Sequence, residues 1–243
     1  MQVAPGIHRL TAGVVNFYLL EEVGRLLVID AGTPKDWNVL LQGIQATGRT
    51  LADVEAILLT HAHSDHTGFA ERARRESGTR VLVHEADAAV ARGAKQPKND
   101  GSITAYLLKP AFYRTTSSLL RRGGGRIVPI QEVATFGDGA VLDLPGSPKV
   151  VLAPGHTPGS AVLVVESRRA AFTGDSLVTW NALTGRSGPQ VMPAGLNRDT
   201  PQALRSLDLL SGLSVEVLLP GHGEPWNGGA EEAVRLAQMA GRS

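Results

Sequence analysis

The sequence contains no cysteine, which excludes disulfide bonds, thiolate metal sites and a cysteine nucleophile. Any metal ion bound by this chain must therefore use His, Asp or Glu side chains. Such donors suit a catalytic site with an open coordination position better than a closed structural site.

The chain also lacks an excess of charge, because 24 Lys and Arg residues face 23 Asp and Glu residues. Nothing in this balance favours a nucleic-acid partner or an anionic membrane partner. No apolar run approaches the ~20 residues that span a bilayer, and the first six residues do not resemble a signal peptide. We therefore expect a cytoplasmic protein with neither kind of partner. With 243 residues, the chain can bury a substantial core.

One short segment holds a dense group of potential metal ligands: His61, His63, Asp65 and His66. It directly follows the apolar run 54–59, which predicts a buried strand. Neutral imidazole and ionised carboxylate suit zinc and similar divalent ions. Side chains alternate along an extended strand end, so His61 and His63 point the same way, and Asp65 and His66 face a second point. The pattern predicts a site for two metal ions. The alternative is a polar loop that holds three histidines by chance.

Further candidate residues also follow predicted strands: Asp30, His156, Asp175 and His222. Glycine or proline flanks most of them, and tight loops after strand ends on one edge of a sheet are where active sites are assembled. Asp30 has two open interpretations, a turn or cap aspartate and an outer-shell residue that holds the histidine loop in place. His84 stands alone after an apolar run, and we interpret it as structural.

Apolar periodicity predicts a mixed α and β chain. Strands are expected at 14–20, 24–29, 54–59, 80–84, 126–130, 133–136, 140–142, 149–153, 161–166, 170–173 and 215–219. Helices are expected at 37–47, 69–77, 85–92, 201–213 and 229–241, with a further helix over 102–120 interrupted by Pro110. We expect one domain, 1–243, whose halves 1–125 and 126–243 each supply part of one site. Glycines 123–125 beside aromatic helices suggest a helical lid or insertion at about 95–125.

The order His61-x-His63-x-Asp65-His66, then His156, Asp175 and His222, resembles the metallo-β-lactamase-fold hydrolase superfamily. Asp30 matches the early aspartate of that family. The resemblance implies an α+β fold, a four-layer αβ/βα sandwich. It also implies that His61, His63 and His156 hold a first metal, that Asp65, His66 and His222 hold a second, and that Asp175 bridges the two.

Such a pair of ions would be two Zn²⁺ about 3.5–4 Å apart, with Mn²⁺ or Fe²⁺ able to use the same ligands. A water shared by two dications has its pKa lowered toward neutrality, so that a metal-bridging hydroxide can attack a carbonyl. Asp65 is the expected catalytic residue, orienting the nucleophile and delivering its proton. The expected reaction is hydrolysis of an ester, lactone, thioester or amide of a small molecule.

The sequence around Asp175 resembles the glyoxalase-II-like and lactonase-like branch more than true β-lactamases. The chain ends about twenty residues after His222, where a glyoxalase II would carry a helical substrate domain. The alternative is an oxidoreductase resembling mononuclear iron persulfide dioxygenases, and phosphodiesterase, β-lactamase or scaffold functions fit less well. Trp180, Asn181 and Arg186, with Tyr106 and Tyr113, either wall the substrate pocket or only pack their loops.

Overall fold

The computed structural model describes residues 1–241, and its strands form two main sheets. The first sheet contains, in order, β1 (Gln2–Ala4), β2 (Ile7–Ala12), β3 (Val15–Glu22), β4 (Arg25–Ile29), β5 (Val54–Leu58), β6 (Arg80–His84) and β7 (Ala134–Phe136). The second contains β8 (Lys149–Leu152), β9 (Ala161–Val165), β10 (Ala170–Gly174) and β13 (Val217–Pro220), in the order β13-β10-β9-β8. A small hairpin joins β11 (Val178–Trp180) to β12 (Ser187–Gln190).

Residues 1–241 contain six α-helices: α1 (Trp37–Ala46), α2 (Ala70–Ser77), α3 (Ala88–Ala91), α4 (Pro110–Arg122), α5 (Thr200–Ser211) and α6 (Gly229–Ala240). Helices α1, α2 and α3 cover the outer face of the first sheet, and α5 and α6 cover that of the second. Five short 3₁₀ turns lie at Pro34–Asp36, Leu51–Asp53, Glu85–Asp87, Ile103–Tyr106 and Glu166–Arg168. Gly78 ends α2 in the left-handed conformation that glycine adopts without steric penalty. No helix within residues 1–241 is both long and apolar enough to cross a membrane.

Successive side chains along each strand face opposite sides of the sheet, so the two sheets and the helices outside them form four layers. In β4, Leu26 and Val28 join the cluster under α1 and α2, whereas Leu27 and Ile29 face the opposite sheet. The second sheet alternates in the same way, with one face toward the first sheet and the other toward α5 and α6. Between the sheets, the rings of Tyr18 and Phe172 pack edge to face with centroids 5.2 Å apart. The expected αβ/βα sandwich is confirmed.

Several local predictions were wrong. Residues 126–130 form no strand, and Pro110 begins α4 instead of interrupting a helix, because the missing N–H of proline is tolerated in a first turn. The dipeptide Asp138–Gly139 predicts a hairpin turn between the strands expected at 133–136 and 140–142, but it does not join two strands of one hairpin. Val141 instead forms a bridge to Lys149 in the second sheet, while β7 pairs with β6.

The division between the two halves also differs from the expected one. Because β7 completes the first sheet, the first half extends to about residue 136 and not 125. The N-terminal strands β1 and β2 and the β11–β12 hairpin were not predicted, and residues 242–243 of the expected domain lie outside the described part.

Candidate metal centre

The residues singled out in the sequence lie at one edge of the two sheets. Asp30 follows β4, the segment from His61 to His66 follows β5, and His156 lies in the loop after β8. Asp175 directly follows β10, and His222 lies in the loop after β13. The structure brings all seven predicted ligands together from these separate loops, and all except His63 and Asp65 are buried.

The donor atoms form two sets joined by a third. His61, His63 and His156 form one set, and Asp65, His66 and His222 form another, with the donor atoms in each set within 4.8 Å of one another. The third set joins His61 and His66 to Asp175.

Asp175 lies between the two sets. Its Oδ2 atom is 3.4 Å from Nε2 of His156 and 3.3 Å from Nε2 of His222. Its Oδ1 atom is 3.6 Å from Nε2 of His66. A single carboxylate therefore faces histidines of both sets.

Hydrogen bonds on the far side of the imidazole rings fix which nitrogen faces the cluster. Nδ1 of His222 donates to the carbonyl oxygen of Val14 at 2.6 Å, and Nδ1 of His156 donates to Oδ1 of Asn197 at 3.1 Å. A carbonyl oxygen can only accept, so in both rings Nδ1 carries a hydrogen and Nε2 is the nitrogen turned toward the cluster. Asn197 is itself oriented by its Nδ2 atom, which donates to the carbonyl oxygen of Met192 at 2.7 Å.

His61 and His63 present different nitrogens to the site. The hydroxyl of Thr60 lies 2.9 Å from Oδ2 of Asp30, to which it donates, so it accepts from Nδ1 of His61 at 3.0 Å. His63 is turned the other way: its Nδ1 atom lies 2.7 Å from Nε2 of His156, and its Nε2 atom faces Arg198.

Asp30 supports the cluster without lining it. Its Oδ2 atom accepts from Nδ1 of His66 at 2.8 Å, and its Oδ1 atom accepts from the backbone N–H of Thr60 at 2.8 Å. Asp30 has φ +62°, a left-handed conformation that is uncommon for residues other than glycine and aims this carboxylate at the histidine loop. The following 3₁₀ turn begins after Thr33, so Asp30 caps no helix. Its contacts match the outer-shell interpretation.

Asp87 is a buried residue that sequence reasoning missed. Its carboxylate accepts hydrogen bonds from the backbone N–H of Ala62 at 2.9 Å, from the Thr157 hydroxyl at 2.8 Å and from the backbone N–H of Gly159 at 2.8 Å. One side chain thus ties the histidine loop to the His156 loop. In the sequence, Asp87 lies near the start of a predicted helix, where aspartate is common for local reasons.

The two donor sets differ in their electrostatics. Burial and neighbouring histidines hold the pKa of His61 and that of His63 well below the usual value, so both rings are neutral. Burial also lowers the pKa of His66, but the carboxylates of Asp30, Asp175 and Asp65 outweigh burial and raise it to about 10. Burial lowers the pKa of His222 as well, but Asp175 and Asp65 together outweigh burial and raise it.

The donor set fits divalent cations. Nε2 of His61, Nε2 of His66 and Oδ1 of Asp175 are buried and have no hydrogen-bond partner within residues 1–241. Buried polar atoms are normally satisfied, and a cation between them would supply the missing partner. Gly221 keeps the space open, because a Cβ atom there would lie 2.4 Å from Oδ1 of Asp175.

A cavity of about 250 Å³ opens onto the cluster. Besides the metal-site residues, its lining includes the apolar side chains of Ile103, Leu119, Ala182, Leu183, Met192 and Leu196. Helix α4 contributes Thr115, Thr116 and Leu119, so part of the 95–125 segment lies beside the site. Its mobility stays a prediction.

The aromatic residues expected as possible pocket walls do not line this cavity. Trp180 instead lines a neighbouring depression together with Arg114, whose guanidinium lies 5.3 Å from the centroid of the Trp180 ring. Tyr113 is exposed, and Tyr106 is buried outside the cavity lining. Oδ1 of Asn181 accepts from backbone N–H groups of its own loop. For Asn181, these contacts match the alternative in which the residue packs its loop and does not wall the pocket.

Comparisons with known proteins point to one family. The sequence model of the metallo-β-lactamase superfamily matches residues 10–222. The chain is 27% identical over 241 residues to the probable metallo-hydrolase YflN of Bacillus subtilis strain 168, covering 93% of this chain and 87% of that protein. It is 31% identical over 201 residues to the uncharacterized protein Rv2581c of Mycobacterium tuberculosis strain H37Rv, covering 78% of this chain and 80% of that protein.

Solved structures share the fold. A metallo-β-lactamase family protein of Thermus thermophilus, TTHA1429, superposes with a TM-score of 0.69 at 26% identity, covering 98% of this chain and 80% of that one. The metallo-β-lactamase SMB-1 superposes with a TM-score of 0.72 at 19% identity, covering 98% of this chain and 93% of that one, a likeness of fold alone. Because the sequence model of the metallo-β-lactamase superfamily matches most of this chain, the chain belongs to that superfamily and has its fold.

Proposed function

We propose that this protein is a dinuclear zinc hydrolase that cleaves an activated acyl bond of a small molecule. The observation that carries the proposal is the position of Asp175 between two sets of three donors. One set is His61, His63 and His156, and the other is Asp65, His66 and His222. One shared carboxylate between two such sets is an arrangement suited to a pair of cations.

The ligand chemistry favours zinc. The site offers five imidazole nitrogens and two carboxylates, with no thiolate, and borderline donors of this kind suit zinc while permitting manganese or iron. When bound, the ions would supply a water that ionises near neutral pH and a positive contact for the substrate oxygen.

Asp65 is the residue we assign to proton transfer. Its Oδ2 atom is 3.5 Å from Nε2 of His222, and the side chain is partly exposed to the cavity. In hydrolysis, the water oxygen forms a bond to the acyl carbon while the bond from that carbon to the leaving heteroatom breaks. Asp65 can accept the water proton on a carboxylate oxygen and pass it to the leaving heteroatom, so that atoms and charge balance.

The cavity favours a compact substrate. A volume of about 250 Å³ is below the usual range for drug-sized ligands, and much of the lining is aliphatic. We therefore propose a small, partly apolar acyl compound such as an ester, lactone, thioester or amide.

Metal analysis followed by a substrate panel tests the proposal. We expect two zinc ions per chain, falling to about one in Asp175→Asn, with Asp143→Asn at an exposed site as the matched control. The zinc-, manganese- and iron-loaded proteins would then be assayed against lactones, thioesters, phosphodiesters and β-lactams. One bound iron with oxygen uptake on a persulfide substrate would overturn the proposal in favour of a dioxygenase. Full metal loading without acyl-bond hydrolysis would also contradict it.

A further inference from the structure

An arginine lies in the lining of the cavity beside the candidate metal centre. Among the described residues, Arg198 is the one Lys or Arg in the cavity lining. Its Nη2 atom lies 3.1 Å from Nε2 of His63, so the guanidinium is one imidazole ring away from the cluster. Its backbone N–H donates to the carbonyl oxygen of Gly155 at 2.9 Å, which fixes Arg198 to the His156 loop.

Neutral amides hold the guanidinium in place. Nη1 donates to Oδ1 of Asn99, and Nη2 donates to Oε1 of Gln96. Gln96 is in turn anchored by its own donor bond to the carbonyl oxygen of Ala62, and Asn99 by its donor bond to that of Gly195. Arg198 is therefore preorganised by residues that carry no charge.

The guanidinium of Arg198 has no carboxylate in direct contact among the described residues. Among the ion pairs of residues 1–241, none within 4.0 Å involves its guanidinium, although the side chain is half-buried and its Nε atom is buried without a hydrogen-bond partner. The carboxylate of Asp87 acts on Arg198 from a longer distance, and its oxygens already accept hydrogen bonds from Ala62, Thr157 and Gly159. Burying a cation without a counter-charge in contact is unfavourable. A fixed, unpaired guanidinium that faces a substrate-sized cavity is suited to bind an anionic group.

We propose that Arg198 is a specificity-determining residue that binds a carboxylate on the acyl part of the substrate. The inference rests on the proposed hydrolase function. Because Arg198 is adjacent to His63, the carboxylate and the reacting carbonyl must be close together, which favours a short acyl chain. The substrate class is thus a small ester, thioester, lactone or amide whose acyl group also carries a carboxylate.

Two matched esters test the inference in the zinc-loaded protein. One is the mono-4-nitrophenyl ester of glutaric acid, and the other replaces its free carboxylate by an uncharged terminal amide. We expect the wild-type protein to prefer the anionic ester in kcat/KM and Arg198→Met to reduce this preference about 10- to 100-fold, the range for one charge-assisted contact. Arg205→Met, at an exposed position in α5, is the matched control with the same change of charge.

Binding of glutarate itself separates this inference from the proposed function. Calorimetry on the zinc-loaded proteins should show weaker glutarate binding by Arg198→Met than by the wild type or Arg205→Met, at equal zinc content and melting temperature. If no acyl compound of the substrate panel is hydrolysed, the proposed function fails, and glutarate binding still decides the role of Arg198. Equal selectivity and equal glutarate binding in Arg198→Met and the wild type would overturn the inference, since the metal ions alone would then attract the anion.

Discussion

Oδ2 of Asp30 lies 2.8 Å from Nδ1 of His66, although the two residues are 36 positions apart in the chain. The carboxylate fixes the imidazole with its Nδ1 atom turned away from the cluster, and the other ring nitrogen faces the remaining donors. Arrangements of this kind set the tautomer and the basicity of a metal-binding histidine. The first prediction follows from this contact.

Asp30→Asn should weaken metal binding about 10- to 100-fold while the fold is retained. Asparagine has nearly the same size and tolerates the positive φ of this position, but its amide carries no negative charge. Competition with a chromophoric chelator measures the affinity. Asp53→Asn is the matched control, because Asp53 accepts similar hydrogen bonds from Thr50 at an exposed site. Equal affinity in Asp30→Asn and the wild type would contradict a supporting role.

Asp87→Ala should lower the free energy of unfolding by about 3 kcal/mol or more. The substitution leaves the buried backbone N–H groups of Ala62 and Gly159 without a partner, and the Thr157 hydroxyl keeps only its contact with Oγ of Ser160 at 2.8 Å. Urea denaturation of the zinc-loaded protein measures the loss. Asp87→Asn keeps one acceptor oxygen and should lose less. If the alanine variant were as stable as the wild type, the link between the two ligand loops would be unimportant for folding.

Asp65→Ala should abolish turnover while the fold stays intact. Removal of a general acid or base lowers kcat by about 100-fold or more, and here one donor of the second set is lost as well. Activity would be measured at saturating zinc, with circular dichroism and the melting temperature as checks on the fold. Retained activity at equal zinc content would assign proton transfer to another group.

Metal binding at pH 8 should release protons, and affinity should fall as the pH falls. Burial opposes protonation of His66, but Asp30, Asp175 and Asp65 raise its pKa to about 10, so the ring is protonated at pH 8 before the metal binds. A cation can occupy Nε2 only after that proton leaves, so protons compete with the metal below pH 10. Calorimetric titration of chelator-treated protein in buffers with different ionisation enthalpies counts the protons. We expect about one or more, and a count of zero would contradict the raised pKa.

Much of the strand framework could be predicted because each residue pattern is local. The alternation of Leu26, Leu27, Val28 and Ile29 fits a strand buried on both faces, and the structure shows these residues dividing between two cores. Errors arose where partners are distant in sequence. The turn at Asp138–Gly139 is locally a good hairpin signal, but β7 pairs with β6 because a parallel neighbour was available in the first sheet.

The sequence by itself determined which residues carry chemistry, because imidazole and carboxylate groups after strand ends are visible without coordinates. The tertiary structure alone decided how these groups act together. It placed Asp175 between the two donor sets, set the histidine tautomers through Val14 and Asn197, and brought Asp87 and Arg198 to the site. These relationships join loops far apart along the chain, and no local pattern encodes the distance between two such loops once they fold.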